Sequence, residues 1–185
     1  MFPAKKYSVI TVDPPWPIKK IQRKVRPNQI EMDYKTMSVA DITELPINEI
    51  AGDNSVCFLW TIQKYLPLSF DILGKWGFKY QRAITWDKSN GMCLFGFHHR
   101  TEFVLFGYKG TIDMYPKRKA FPTLISEKSP RHSQKPDCFY EYAGAFGDAR
   151  IDIFARARRN GWDVWGDEIP IDTSGKDVAK ALRSK

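Results

Sequence analysis

Asp13-Pro14-Pro15-Trp16 is the segment whose residue types could do chemistry together. Each proline fixes its φ and lacks an N–H. The residue before a proline is pushed toward extended geometry, so Asp13 and Pro14 are held stretched and stiff. Main-chain carbonyls in such a segment have no neighbouring N–H and can face a ligand. The Asp13 carboxylate adds a charged acceptor, and the Trp16 indole adds a flat apolar surface. Two fixed acceptors beside an aromatic plane suit a planar base bearing an exocyclic amino group. The amino hydrogens point at the acceptors while the ring stacks on the indole. The plainer reading of the same residues is a tight turn with a core tryptophan.

These residues need a frame. The β-branched run Tyr7 to Val12 reads as a buried strand stopped by the prolines. Residues 17–36 follow as a basic loop without periodicity. Ser38 can cap a short helix with Val39, Ile42 and Leu45 on one face, ended by Pro46. Ser55 to Ile62 is a continuous apolar run, which predicts a central strand. Leu66, Phe70, Leu73 and Trp76 recur at helical spacing, with Gly77 where a helix C-terminus wants it. Tyr80 to Trp86 and Thr101 to Tyr108 predict two strands separated by a Gly-rich turn region, followed by a long loop to Pro136. Pro136 opens a helix carrying Phe139, Ala143 and Phe146. Ile151 to Ala155 and Trp162 to Trp165 predict two last strands around a turn at Asn160-Gly161. Alternating strands and helices imply an α/β fold with a mostly parallel central sheet and flanking helices. In such sheets ligands sit beyond the carboxyl ends of strands, where Asp13 lies.

With these segments in order, the chain resembles the adenine-N6 methyltransferases. That family comprises messenger-RNA adenine methyltransferase catalytic subunits and their bacterial and phage DNA relatives. The resemblance rests on the strand with Asp13-Pro14-Pro15-Trp16 and on Asp33-Tyr34-Lys35-Thr36-Met37-Ser38. It continues through Phe58-Leu59-Trp60, Trp76-Gly77-Phe78, Trp86-Asp87-Lys88 and the segment Arg100 to Gly110. Ser133-Gln134-Lys135-Pro136-Asp137, Ile151 to Arg156 and Trp162 to Glu168 complete it, so it spans residues 7 to 168. The order is permuted, with the catalytic strand first and the cofactor strand last.

The resemblance implies a Rossmann-like fold and S-adenosylmethionine as cofactor. Asp13, Pro14, Pro15 and Trp16 are then catalytic, with Trp16 stacked on the base and Tyr34 closing over it. Hydrogen bonds from the amino group to Asp13 and the Pro14 carbonyl favour a pyramidal nitrogen whose lone pair is free to attack. Lys135 at a helix start suits the cofactor carboxylate, and Asp13 suits its ammonium. Asp152, Phe154 and Arg156 are placed at the ribose end, with Asp167 and Glu168 near adenine or ribose. Two positions depart from the family, which more often has Glu at Asp152 and Asn at Asp167.

Composition frames the partner. The chain has 185 residues, 29 Lys+Arg against 21 Asp+Glu, and a formal charge of +8, which favours a polyanion. Lys19, Lys20, Arg23, Lys24 and Arg26 directly follow the catalytic turn as a nucleic-acid grip, and Lys117, Arg118 and Lys119 form a second cluster. Double-stranded DNA is the expected substrate, with a homodimer as a candidate assembly. The alternatives are RNA, a catalytically inactive nucleic-acid-binding relative, and methylation of a small molecule or a protein side chain. Three scattered cysteines and the histidines His98, His99 and His132 make no metal spacing, so no metal is expected. No apolar run is long enough for a membrane span and no signal core leads the chain, so a cytoplasmic protein of a bacterium or a phage-infected cell is expected. Residues 1–169 are read as the catalytic domain and 170–185 as a tail.

Overall fold

The computed structural model describes residues 2–18, 35–94, 96–111, 120–128 and 134–166. β1 (Tyr7–Val12) is an interior strand whose β-branched residues are buried on both faces. β2 (Ala51–Thr61) lies parallel to it on one side and β6 (Arg150–Ile153) parallel on the other. β3 (Lys79–Leu94), β4 (Phe97–Lys109), β5 (Leu124–Ser126) and β7 (Asp163–Trp165) complete a seven-stranded sheet in the order β5-β3-β4-β2-β1-β6-β7. The pairing is mostly parallel, and β4 alone runs against its two neighbours.

Side-chain alternation sends two apolar sets to opposite faces. Ile10, Val12, Cys57 and Leu59 pack with Ile42 of α1 (Val39–Thr43), Ile47 and Ile50 of α2 (Ile47–Ile50), and Ile72 and Leu73 of α3 (Leu66–Lys75). Val9, Val56, Phe58 and Trp60 pack with Phe139 and Ala143 of α4 (Asp137–Gly144), and with Phe146 just beyond it. Phe58 anchors this second face, with its ring centroid 5.0–5.6 Å from those of Phe106, Phe121, Phe139 and Phe146. Among the described residues no helix is long and apolar enough to cross a membrane.

Several local expectations hold. Ser38 caps α1 by accepting the Asp41 N–H at 3.1 Å, and α4 starts directly after Pro136. Gly77 ends α3 with φ +86°, a conformation that suits a residue without Cβ. Others are corrected. Phe70 is not on the buried face of α3; it is 38% exposed and leans on Tyr80, while Ser69 and Ile72 take the inner positions. The region between the third and fourth strands is no separate turn region. β3 and β4 run on past the sheet as a two-stranded arm, paired as far as Leu94 with Phe97. The long loop before Pro136 contains the three-residue strand β5.

Candidate active site

β1 ends at Val12, and the Asp13 N–H still donates to the Ile153 carbonyl of β6 at 3.2 Å. The two prolines then take the chain off the carboxyl edge of the sheet. The Pro14 carbonyl accepts the Trp16 N–H at 2.8 Å, and the Pro15 carbonyl accepts the Met37 N–H at 2.9 Å. The expected free carbonyls are therefore each engaged once, leaving one lone pair apiece. Trp16 is also corrected as an open surface for a base. It is 4% exposed, its ring lies flat on Tyr65 at 4.9 Å, and its Nε1 donates to the Trp60 carbonyl at 3.1 Å. Tyr65 in turn donates its hydroxyl to the Pro17 carbonyl at 2.6 Å. Trp16 clamps the turn from within.

The Asp13 carboxylate lies 3.1 Å from Lys135 Nζ. Lys135 also reaches Glu102 of β4 at 2.8 Å, and Glu102 reaches Lys88 of β3 at 3.1 Å. Four charges of alternating sign thus run from the Asp13 turn to the root of the arm. The Lys135 ammonium also sits 4.8 Å above the Trp60 ring. Burial pushes the Asp13 carboxyl above its ordinary range, and the Lys135 charge only partly opposes this. Burial also works against the charges of Lys135 and Glu102, yet their partners prevail. Lys135 is held above, and Glu102 below, its usual value.

The other carboxylate of the site is Asp152, beside Thr11 in the ladder of β6 and β1. It is 2% exposed. It accepts the Tyr140 hydroxyl at 2.9 Å, and Arg159 stands 3.7 Å away. Burial raises its pKa to about 7, against the Tyr140 hydrogen bond and the Arg159 charge. Arg159 is fixed from behind, since its guanidinium stacks 3.5 Å from the Tyr140 ring and bonds Asp137 at 3.1 Å. Phe154 follows β6 with φ +65°, and its N–H donates to the Trp165 carbonyl. A bulky residue in that region costs ~1–3 kcal/mol, a strain found mostly at functional sites.

Asp13, Lys135, Asp152, Phe154 and Arg156 line one narrow crevice, together with Gln134, Tyr140 and Arg159. The structure therefore gathers these five sequence-predicted residues from three separate segments. A wider cleft shares Gln134, Tyr140, Ala157 and Arg159 with this crevice and extends to Glu141, Arg150 and Trp162. Among the described residues no group of three or more His, Cys, Asp or Glu is placed to hold a metal ion.

The MT-A70 family matches residues 7–168. The chain belongs to the MT-A70 family. It is 30% identical over 189 residues to the type II methyltransferase M.MunI of a Mycoplasma species, covering 91% of this chain and 80% of that protein. It is 25% identical over 186 residues to the human N(6)-adenine-specific methyltransferase METTL4, covering 89% of this chain and 38% of that one. To the human N(6)-adenosine-methyltransferase catalytic subunit METTL3 it is 25% identical over 177 residues, covering 89% of this chain and 28% of the relative. It thus spans four-fifths of M.MunI and well under half of METTL4 and METTL3.

Within this MT-A70 chain, Lys19, Lys20, Arg23, Lys24, Arg26 and Tyr34 lie outside the described residues. So do Asp167 and Glu168, the cluster Lys117 to Lys119, and the segment 170–185. Three residues of the site were not singled out for it by sequence reasoning: Glu102, Tyr140 and Arg159. A cation facing Asp152 is Arg159, 3.7 Å away. Glu102 did carry a signal, an acid directly before the apolar run Phe103 to Phe106, which needs a cation when buried.

Proposed function

We propose that this chain transfers a methyl group from S-adenosylmethionine to the N6 amino group of adenine in double-stranded DNA. One observation carries this reading. A buried carboxylate, Asp13, sits at the carboxyl end of β1, paired to Lys135 on the wall of a crevice that also holds Asp152. The names of the MT-A70 relatives support the reaction class. The fuller likeness to M.MunI favours DNA over RNA as substrate.

The donor set fits the cofactor. Lys135 suits its carboxylate, Asp13 its ammonium, and Asp152 with Arg156 its ribose hydroxyls, while Phe154 supplies an apolar wall. When bound, S-adenosylmethionine supplies a methyl group on a sulfonium, which is a good leaving group. The protein's work is to present the adenine nitrogen. The Asp13 carboxylate accepts one amino hydrogen, and the remaining lone pair of the Pro14 carbonyl accepts the other. These bonds pull the nitrogen out of conjugation with the ring and orient its lone pair, an acceleration by positioning. As the nitrogen gains a fourth substituent, it must lose a proton. Burial gives the Asp13 carboxylate a proton affinity above that of an aspartate in water, so an Asp13 oxygen is suited to receive it. Lys135 keeps that oxygen aimed. In a duplex the amino group is inside the stack, so the base must swing out to reach Asp13.

The test is transfer of labelled methyl groups to duplex DNA, single-stranded DNA, RNA and protein, followed by digestion to nucleosides. The expected product is N6-methyladenine in duplex DNA. In Asp13→Ala it falls by at least a thousandfold while the circular dichroism of the fold is kept. Label in RNA alone, which the likeness to the N(6)-adenosine methyltransferases would carry, rejects DNA as substrate. Cofactor binding without transfer to any acceptor rejects the enzyme reading, and near-normal rates in Asp13→Ala reject the role of that residue.

A further inference from the structure

The arm formed by the distal parts of β3 and β4 has no role in the crevice. The sheet pairs β2 to β4 only as far as Thr61 with Phe103, and β3 to β5 only as far as Asp87 with Ser126. Beyond those points, among the described residues, the two strands pair only with each other, through Met92 with His99, Cys93 with His98, and Leu94 with Phe97. β3 runs parallel to β2 and β1, so the arm leaves the sheet at the carboxyl edge, the edge that carries Asp13. Its root is tied to the site, because Lys88 contacts Glu102, Glu102 contacts Lys135, and Lys135 contacts Asp13.

The arm is built to hold its shape. Arg100 grips Asp87 through two bonds, and Gln63 braces Thr101 at 3.2 Å. A Cβ on Gly91 would lie 2.4 Å from the His99 carbonyl oxygen, so only glycine lets the strands close at that point. At the far end Phe97 is 74% exposed, the most exposed of the large apolar side chains in the described residues. Gly96 beside it has φ +81°, which turns the chain at the tip. Residues 88–101 contain Lys88, His98, His99 and Arg100 and no Asp or Glu, and the acids at the root, Asp87 and Glu102, are paired with Arg100 and Lys88, so nothing beyond the root repels phosphate.

A two-stranded projection braced at its root, with no acid beyond that root and a bare aromatic side chain at its far end, standing at the edge where the substrate must arrive, fits a nucleic-acid duplex. A second protein chain would leave the placement beside Asp13 and the lack of acids unexplained. We infer that the β3–β4 arm is a nucleic-acid-binding element whose Phe97 ring enters the base stack next to the adenine that leaves it. The inference rests on the nucleic-acid reading of the active site. Apolar side chains inserted between base steps compensate for lost stacking and hold a distorted duplex open. An unpaired strand has no stack to open, so the contribution of the ring is specific to duplex.

The test compares wild type with Phe97→Ala and Phe97→Tyr on unmethylated bacterial chromosomal DNA, native or heat-denatured. Phe97→Ala is expected to lose about tenfold or more in kcat/KM on native DNA and less than about threefold on denatured DNA. Phe97→Tyr, which keeps the ring, restores the native rate. Cofactor affinity by calorimetry and sedimentation of the protein stay as in wild type. Equal losses on both substrates, or no loss on native DNA, overturn the inference. A loss that tracks a change in sedimentation also overturns it and assigns the arm to contact between copies of the chain. If wild type methylates no DNA, the proposed function falls and the arm is judged by fluorescence anisotropy of a labelled duplex. There, tenfold weaker binding by Phe97→Ala supports it and unchanged binding overturns it.

Discussion

At one end of the crevice Asp13 faces an ammonium 3.1 Å away, and at the other Asp152 faces a phenol at 2.9 Å and a guanidinium at 3.7 Å. Both carboxylates are buried at adjoining strands, and burial raises the pKa of both. The compensation differs. Asp13 belongs to a closed set of two acids and two bases, in which each inner charge has partners of opposite sign. Asp152 leans on a neutral hydroxyl and on a guanidinium already bound to Asp137. A closed set offsets part of the cost of burying its charges but is hurt by the loss of any inner member. A carboxylate held mainly by a hydroxyl is poised to take up a proton near neutrality.

Breaking the closed set gives the largest effect. Lys135→Met removes the cation between Asp13 and Glu102 and leaves Glu102 with Lys88 alone, and folding free energy by urea denaturation is expected to fall by about 3–5 kcal/mol. Adding Glu102→Gln to that variant should return part of the loss, because it removes the like charge that then faces Asp13. A double variant no more stable than Lys135→Met would break the comparison at this end.

The Asp152 end is sharpened by pH. An unfolded aspartate ionises near 3.8 and the folded Asp152 near 7. Between those values the unfolded state holds fewer protons, so stability falls as pH rises through this window and levels off above about 7. The drop contributed by this one residue is at most about 4 kcal/mol. Asp152→Asn should remove it, so thermal unfolding from pH 4 to 8 should show a flatter profile than wild type. Parallel profiles would mean that Tyr140 and Arg159 hold Asp152 ionised throughout.

The smallest effect belongs to the outermost charge. Lys88 is 27% exposed on its side chain, so Lys88→Met should cost no more than about 1 kcal/mol. A cost near that of Lys135→Met would show that the set behaves as one unit from end to end.

Much of this frame is legible in the residues. β1 and its exit are marked by a β-branched run that meets two prolines. α1 is marked by the Ser38 cap, and α4 by Pro136 with Phe139 and Ala143 on one face. What escapes is set by contacts distant in sequence. β5 has three residues and owes its existence to the edge of β3. Gly91 looks like a turn signal, yet it serves a close approach of two strands. The Asp13 and Lys135 residues are visible as candidates, but Glu102 joins them only because β4 runs beside β2. Arg159 and Tyr140 reach Asp152 through the packing of α4, which no local pattern announces. Trp16 shows why residue type alone misleads, since an indole that could carry a base serves instead as an internal brace.

That brace separates two design problems. The Trp16 indole on the Trp60 carbonyl and the Tyr65 hydroxyl on the Pro17 carbonyl fasten the chain where it leaves the turn. The Pro15 carbonyl fastens it again at Met37 where it returns. The chain is therefore fastened on both sides of residues 19–34 by contacts that do not involve the Asp13 carboxylate. A sequence exchanged between those two anchors leaves the Trp16, Tyr65 and Met37 contacts in place, and with them the approach to Asp13.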